Sequence, residues 1–205
     1  MQYKYPDTAI LVFCKAPVAG QVKTRLMPEL TDRQAAEIHI ELTNGILSLL
    51  SKSQLSPIQL WCSPDTSHPF FEQCAIKYGV SLHLQQGNDL GERMNHAIHT
   101  ALEISSTVLL IGCDCPTFES NDFEFAITAL QAENEVVIAP AKDGGYVMIG
   151  MTQAKPQLFL NMTWGHEQVL NNTRQRLAEL GLKYIETRQH WDVDTVTDLQ
   201  CYQSL

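Results

Sequence analysis

The chain has 205 residues, a net charge of −9 and a 44% hydrophobic content, enough for a packed core and too apolar for a disordered segment. The acidic balance opposes nonspecific binding to nucleic acid or to an anionic membrane, and no run reaches the roughly 18–20 apolar residues of a membrane span. The length predicts one domain over 1–205.

Residues 8–14 form a continuous apolar run, the pattern of a strand buried on both faces. Thr31 and Gln34 have capping-box spacing, and Ala35, Ile38, Leu42, Ile46 and Leu49 follow at helical intervals. A second strand is predicted over 58–62, a helix over 68–78 and a third strand over 80–84. Leu90, Met94, Ala97, Ala101 and Leu102 mark an amphipathic helix. A strand is predicted at 107–112, then a helix over 120–131 and strands at 135–139 and 146–151. Val169, Leu170, Thr173, Leu177 and Leu180 predict a helix that Gly181 closes. A short strand at 183–186 precedes a last helix starting near Thr195. The alternation predicts an α/β fold, a mostly parallel sheet with helices on both faces. Strands 135–139 and 146–151 are too close for a crossover and suggest a hairpin. In such sheets ligands bind beyond the carboxyl ends of the strands, which directs attention to the loops there.

The loop after the first strand runs Lys15-Ala16-Pro17-Val18-Ala19-Gly20-Gln21-Val22-Lys23-Thr24-Arg25. Lys15, Lys23 and Arg25 concentrate positive charge there in an acidic chain, and Gly20 permits close backbone approach. Phosphate oxygens require both features. The spacing is neither a Walker loop nor GxGxxG. Asp114 follows the 107–112 strand, placed either to hold Mg²⁺ between phosphates or to cap a turn. Asp192 and Asp194 lie on one face if extended, and both could point at one cation; Asp198 is explained by capping. Lys142-Asp143-Gly144-Gly145 is a hairpin turn, or a close approach to an acceptor with Asp143 as base or orienter. The loop Gln85-Gln86-Gly87-Asn88-Asp89-Leu90-Gly91 either cradles a base or sugar or simply opens a helix capped by Asn88 or Asp89. Residues 1–7 show no export pattern, so a cytoplasmic location with reduced thiols is expected. Cys113 and Cys115 have poor zinc spacing and read as small residues at a strand end. His39, His96, His99 and His166 show no catalytic pattern and read as surface or core residues.

Five segments taken in order resemble a bacterial family of GT-A-fold, glycosyltransferase-like proteins (DUF2064 type) related to the nucleotidyltransferases of cofactor biosynthesis. They are 13–26, 87–94, 111–116, 140–146 and 192–195. The resemblance implies a three-layer nucleotide-diphospho-sugar transferase-like fold and a transferase using a nucleoside triphosphate or a nucleotide sugar with a small acceptor. It implies that Lys15, Lys23 and Arg25 bind the triphosphate, beside Phe13, Gly20, Gln86, Gly87 and Gly91 of the nucleotide-binding loops. It also implies that Asp114 and Asp194 hold Mg²⁺ or Mn²⁺. Two departures stand out. Cys113-Asp114-Cys115 replaces the Asp-x-Asp pair general in GT-A glycosyltransferases, which argues against sugar transfer. Val196 replaces a common proline, which alters only a helix start.

Overall fold

A computed structural model describes residues 3–27 and 29–205. Seven strands, β1 (Thr8–Lys15), β2 (Ile58–Ser63), β3 (Ser81–Leu84), β4 (Thr107–Gly112), β5 (Val136–Pro140), β6 (Tyr146–Met151) and β7 (Tyr184–Glu186), form one sheet in the order β3-β2-β1-β4-β6-β5-β7. All neighbours pair in parallel except β6, which runs antiparallel to both β4 and β5. The tight 141–145 connection permits only a hairpin, because a parallel return needs a crossover of a dozen or more residues.

Among the described residues five helices cover the sheet, α1 (Asp32–Ser53), α2 (Pro69–Tyr78), α3 (Leu90–Leu102), α4 (Ser120–Ala132) and α5 (Val169–Glu179), and a sixth, α6 (Val196–Gln203), packs outside α1. The period-2 alternation of β1 sorts them into layers. Ile10, Val12 and Cys14 face the side packed by Leu47 and Leu50 of α1, Phe71 of α2 and Phe123 and Ile127 of α4. Ala9 and Leu11 face the opposite side, packed by Ala97 and Ile98 of α3 and Leu177 of α5. With both faces covered, the central strands bury nearly every residue, which is why 8–14 reads as an unbroken apolar run.

The predicted helix starts are formed as hydrogen bonds. Thr31 and Gln34 make both halves of a capping box, as do Thr195 and Asp198, each satisfying amide groups that a helix end otherwise leaves unpaired. Asp89 caps α3 by accepting from Glu92 N at 2.8 Å. Two short 3₁₀ turns, at Thr24–Leu26 and Pro156–Leu158, carry no periodic signal long enough to predict. Among the described residues no helix is long and apolar enough to cross a membrane. A third apolar cluster, Leu26, Leu42, Val193 and Leu199, pins the 24–26 turn and α6 to α1.

Candidate active site

The carboxyl ends of β1 and β4 open into a cavity of about 620 Å³. Phe13 and Lys15 reach it from β1, and Lys23 and Arg25 from the following loop. Asp114 enters from the loop after β4, Asp143 from the β5–β6 turn and Asp194 from the approach to α6. Because β6 runs antiparallel, its starting end lies at the same edge of the sheet as the finishing ends of β1 and β4, and this brings Asp143 to the cavity.

Two cation–carboxylate pairs tie these segments together. Lys23 has left-handed backbone angles (φ 50°) and sends its ammonium inward, where Nζ donates to Asp114 Oδ2 at 2.7 Å and to Val193 O at 2.6 Å. Burial opposes charge on both groups, yet their attraction wins: the Lys23 pKa is raised and that of Asp114 lowered, each chiefly by the other. Arg25 Nη1 donates to Asp194 Oδ2 at 2.6 Å in a far more exposed pair. Lys15 has no acceptor for its ammonium among the described residues.

Asp192 and Asp194 do not face a common partner. Asp194 lines the main cavity, whereas Asp192 lines an adjoining hollow of about 190 Å³. There burial, with the negative charges of Asp114 and Asp143, pushes the Asp192 carboxyl up to about 7. The two hollows share Leu90, Asp143, Gly165 and His166. Trp164, Tyr146 and Met94 make the smaller one more apolar.

Several expected residues lie elsewhere. Gly20, Gln86, Gly87 and Gly91 do not line the cavity; Gln85 and Arg93 do. A Cβ on Gly87 would stand 2.7 Å from Glu92 Cβ, and one on Gly91 2.8 Å from Phe159 O, so these glycines serve packing around α3. A Cβ on Gly20 would meet Asp32 Oδ2 at 3.2 Å. At Gly144 (φ +88°) the close approach is made by the chain itself, since a Cβ there would meet Glu167 O at 2.1 Å. Asp143 also stabilises its own turn, accepting from Gly145 N at 2.9 Å. The contribution of residues 165–167 to the cavity had no sequence signal, for it arises from that backbone contact. His39 reads as a core or surface residue in sequence but is buried in the cavity wall beside Cys14 and Cys113. Helical spacing does place it on the buried side of α1, four residues before Thr43. Cys113 and Cys115 are both buried, and Cys115 lies apart with its Sγ 3.4 Å from Thr117 Oγ1.

The carboxylates suit a hard divalent cation. Asp114 and Asp194 each engage a cation through Oδ2 and make no hydrogen bond through Oδ1 among the described residues. Oxygen-only donors of this kind fit Mg²⁺.

Comparison with known proteins agrees with this architecture. A nucleotide-diphospho-sugar transferase, so named, of Desulfovibrio desulfuricans G20 has 30% identity and a TM-score of 0.87 over 96% of this chain and 86% of its own. The 4-diphosphocytidyl-2C-methyl-D-erythritol synthase of Anaerococcus prevotii DSM 20548 has 13% identity and a TM-score of 0.65 over 98% and 99%. A cytidylyltransferase of Leptospira borgpetersenii serovar Hardjo-bovis has 15% identity and a TM-score of 0.64 over 98% and 86%. These likenesses establish the nucleotide-diphospho-sugar transferase-like fold. No curated protein matches the sequence. Residues 46–166 match the DUF2064 family, described as uncharacterized proteins conserved in bacteria, and the chain belongs to that family.

Proposed function

We propose that the chain is a nucleotide-using transferase that performs nucleotidyl transfer. An acceptor oxygen attacks the α-phosphorus of a nucleoside triphosphate, the bond to the bridging oxygen breaks and pyrophosphate leaves. The observation that carries this reading is the set of cations Lys15, Lys23, Arg25 and Arg93 around one cavity at the carboxyl ends of β1 and β4. Such a reaction needs fixed positive charge and alignment more than covalent participation by the protein.

Lys15, with no acceptor in the described structure, and Arg25, in an exposed pair, take the phosphate oxygens. Lys23 holds Asp114 in its ionised form and in place. Asp114 and Asp194 would hold Mg²⁺, which supplies charge neutralisation for the phosphates when bound. The smaller hollow takes the acceptor. Asp143, exposed where the two hollows meet, orients the attacking hydroxyl or phosphate. The names of the cytidylyl-transferring proteins that share the fold favour this chemistry.

Glycosyl transfer is the second reading, favoured by the name of the 30% identical Desulfovibrio protein. The 112–116 loop counts against it, because Asp114 has no second carboxylate at Asp-x-Asp spacing: Gly112 stands two residues before it and Pro116 two residues after.

The test is calorimetric titration with the four nucleoside triphosphates and a panel of nucleotide sugars, with and without Mg²⁺, followed by product analysis. Nucleotidyl transfer predicts Mg²⁺-dependent triphosphate binding that Asp114→Asn abolishes, and release of pyrophosphate. Preference for a nucleotide sugar with release of nucleoside diphosphate would establish glycosyl transfer instead. Binding without turnover of any acceptor would mark a regulatory nucleotide-binding protein.

A further inference from the structure

Three side chains that the proposed reaction leaves unused converge in the cavity wall. The β1–β4 register pairs Phe13 with Gly112, so the next residues, Cys14 and Cys113, emerge side by side where the strands end. Helix α1 passes over them and contributes His39. Their donor atoms, two Sγ and an imidazole nitrogen, all lie within 4.8 Å of one another, and Cys14 Sγ is 3.6 Å from His39 Nε2. Each residue is 5% exposed or less, yet all three line the 620 Å³ cavity.

That geometry has a chemical counterpart. Zinc bound tetrahedrally at about 2.3 Å from sulfur and about 2.0–2.1 Å from nitrogen places a sulfur and a nitrogen ligand about 3.5 Å apart. The Cys14–His39 separation is within about 0.1 Å of that edge. Two thiolates and an imidazole select a soft or borderline ion, whereas the oxygen donors of Asp114 and Asp194 select a hard one. Cys14 is held on β1 and His39 on α1, and Cys113 directly follows the last residue of β4.

We propose that Cys14, Cys113 and His39 form a zinc site with three protein ligands and a fourth position facing the cavity. Binding replaces two thiol protons, which pass to solvent, and forms two Zn–S bonds and one Zn–N bond. In the metal-free chain His39 Nε2 donates to Lys15 O at 2.9 Å. On binding, Nε2 becomes the ligand, the ring proton moves to Nδ1 and that hydrogen bond is given up. The proton release makes the affinity pH-dependent, rising as the thiols ionise, while the lost hydrogen bond lowers it at every pH. The bound ion would tie the end of β1 to the start of the loop carrying Asp114. The site stands whether or not the chain transfers nucleotides.

The test uses the full-length, reduced, metal-free chain titrated with Co²⁺ as a spectroscopic probe and then with Zn²⁺. One Co²⁺ per chain is expected, with thiolate-to-cobalt charge-transfer absorption and the intense d–d bands of a tetrahedral site, displaced by Zn²⁺. Cys14→Ser, Cys113→Ser and His39→Ala should each weaken binding by more than about tenfold, the scale set by losing even outer contacts of a metal site. Cys115→Ser and Asp114→Asn should keep the charge-transfer band. In the unmutated chain Zn²⁺ should slow alkylation of Cys14 and Cys113 but not of the exposed Cys201, read by peptide mass. Absence of the band in the unmutated chain, equal affinity in Cys14→Ser and Cys113→Ser, or alkylation unaffected by Zn²⁺ would overturn the proposal.

Discussion

Replacing Lys23 with methionine removes an ammonium buried between Asp114 and the Val193 carbonyl. The Lys23 side chain is 6% exposed and that of Asp114 32%. Removing one partner of a fully buried ion pair costs about 3–5 kcal/mol. Asp114 keeps water on about a third of its surface, so the expected cost lies below that range, at roughly 2–3 kcal/mol. At about 2–4 °C per kcal/mol for a chain of this size, the melting temperature should fall by roughly 4–12 °C. The pair contributes fully between about pH 4 and pH 10. The lowered Asp114 value means its share is lost only as pH falls through that value, and the raised Lys23 value means its share is lost only as pH rises through it. Urea unfolding at neutral pH of the parent chain, Lys23→Met, Asp114→Asn and the double variant measures the coupling directly. The double variant should be less destabilised than the sum of the single variants by about 1–2 kcal/mol. Single effects that add to within about 0.5 kcal/mol, or a Lys23→Met chain as stable as the parent, would refute the reasoning.

Arg25→Ala should behave differently, because its pair with Asp194 is exposed, at 66% and 39%. Stability should change by less than about 0.5 kcal/mol, while triphosphate turnover should drop by about tenfold or more; turnover within twofold would remove Arg25 from the site. Gly144→Ala forces a Cβ to 2.1 Å from Glu167 O at φ +88°. Strain alone costs about 1–2 kcal/mol, and displacement of the 165–167 segment should add weakened ligand binding, both read by thermal unfolding with and without nucleotide. Arg188→Met breaks a two-point contact with Asp122, Nε to Oδ1 at 2.7 Å and Nη2 to Oδ2 at 2.8 Å, and Asp122 is 8% exposed. Because the Arg188 side chain is 47% exposed, roughly 1–2 kcal/mol should be lost at neutral pH, less than for a fully buried pair. Although burial opposes it, Arg188 lowers the folded-state pKa of Asp122, so this contribution is present above about pH 4 and disappears as pH falls through the folded value. Urea midpoints of parent and variant should therefore converge in acid.

The elements were legible because each has a local cause. The apolar run of β1 follows from burial on both faces, and the starts of α1 and α6 follow from Thr-x-x-Gln and Thr-x-x-Asp caps that form as hydrogen bonds. Strand ends also point to the cavity, and Lys15, Lys23, Arg25, Asp114, Asp143 and Asp194 all line it. Partnership was not legible. Spacing cannot say that Lys23 chooses Asp114 while Arg25 chooses Asp194, nor that Asp192 turns toward a separate hollow. The glycines misled for a physical reason. Gly87, Gly91 and Gly144 are small because the chain's own atoms crowd them, and a sequence does not distinguish that from room left for a ligand. The Cys14–His39–Cys113 cluster was hidden because its members come from two strand ends and a helix, with no common spacing.

Two of the three cations that follow β1, Lys23 and Arg25, are satisfied far along the chain. Lys23 meets Asp114 and Val193, 91 and 170 positions away, and Arg25 meets Asp194 at 169. Closing loops of this length is entropically slow, so these contacts form after the local hairpin and helix pairs have docked. During synthesis, β1 through β6 can assemble while residues 192–194 are still inside the ribosome. The cavity therefore acquires its Asp194 wall only when residues 192–194 have left the ribosome. A chain cut short before Asp192 keeps most of the sheet but leaves Lys23 without its Val193 contact and Arg25 without a counter-ion.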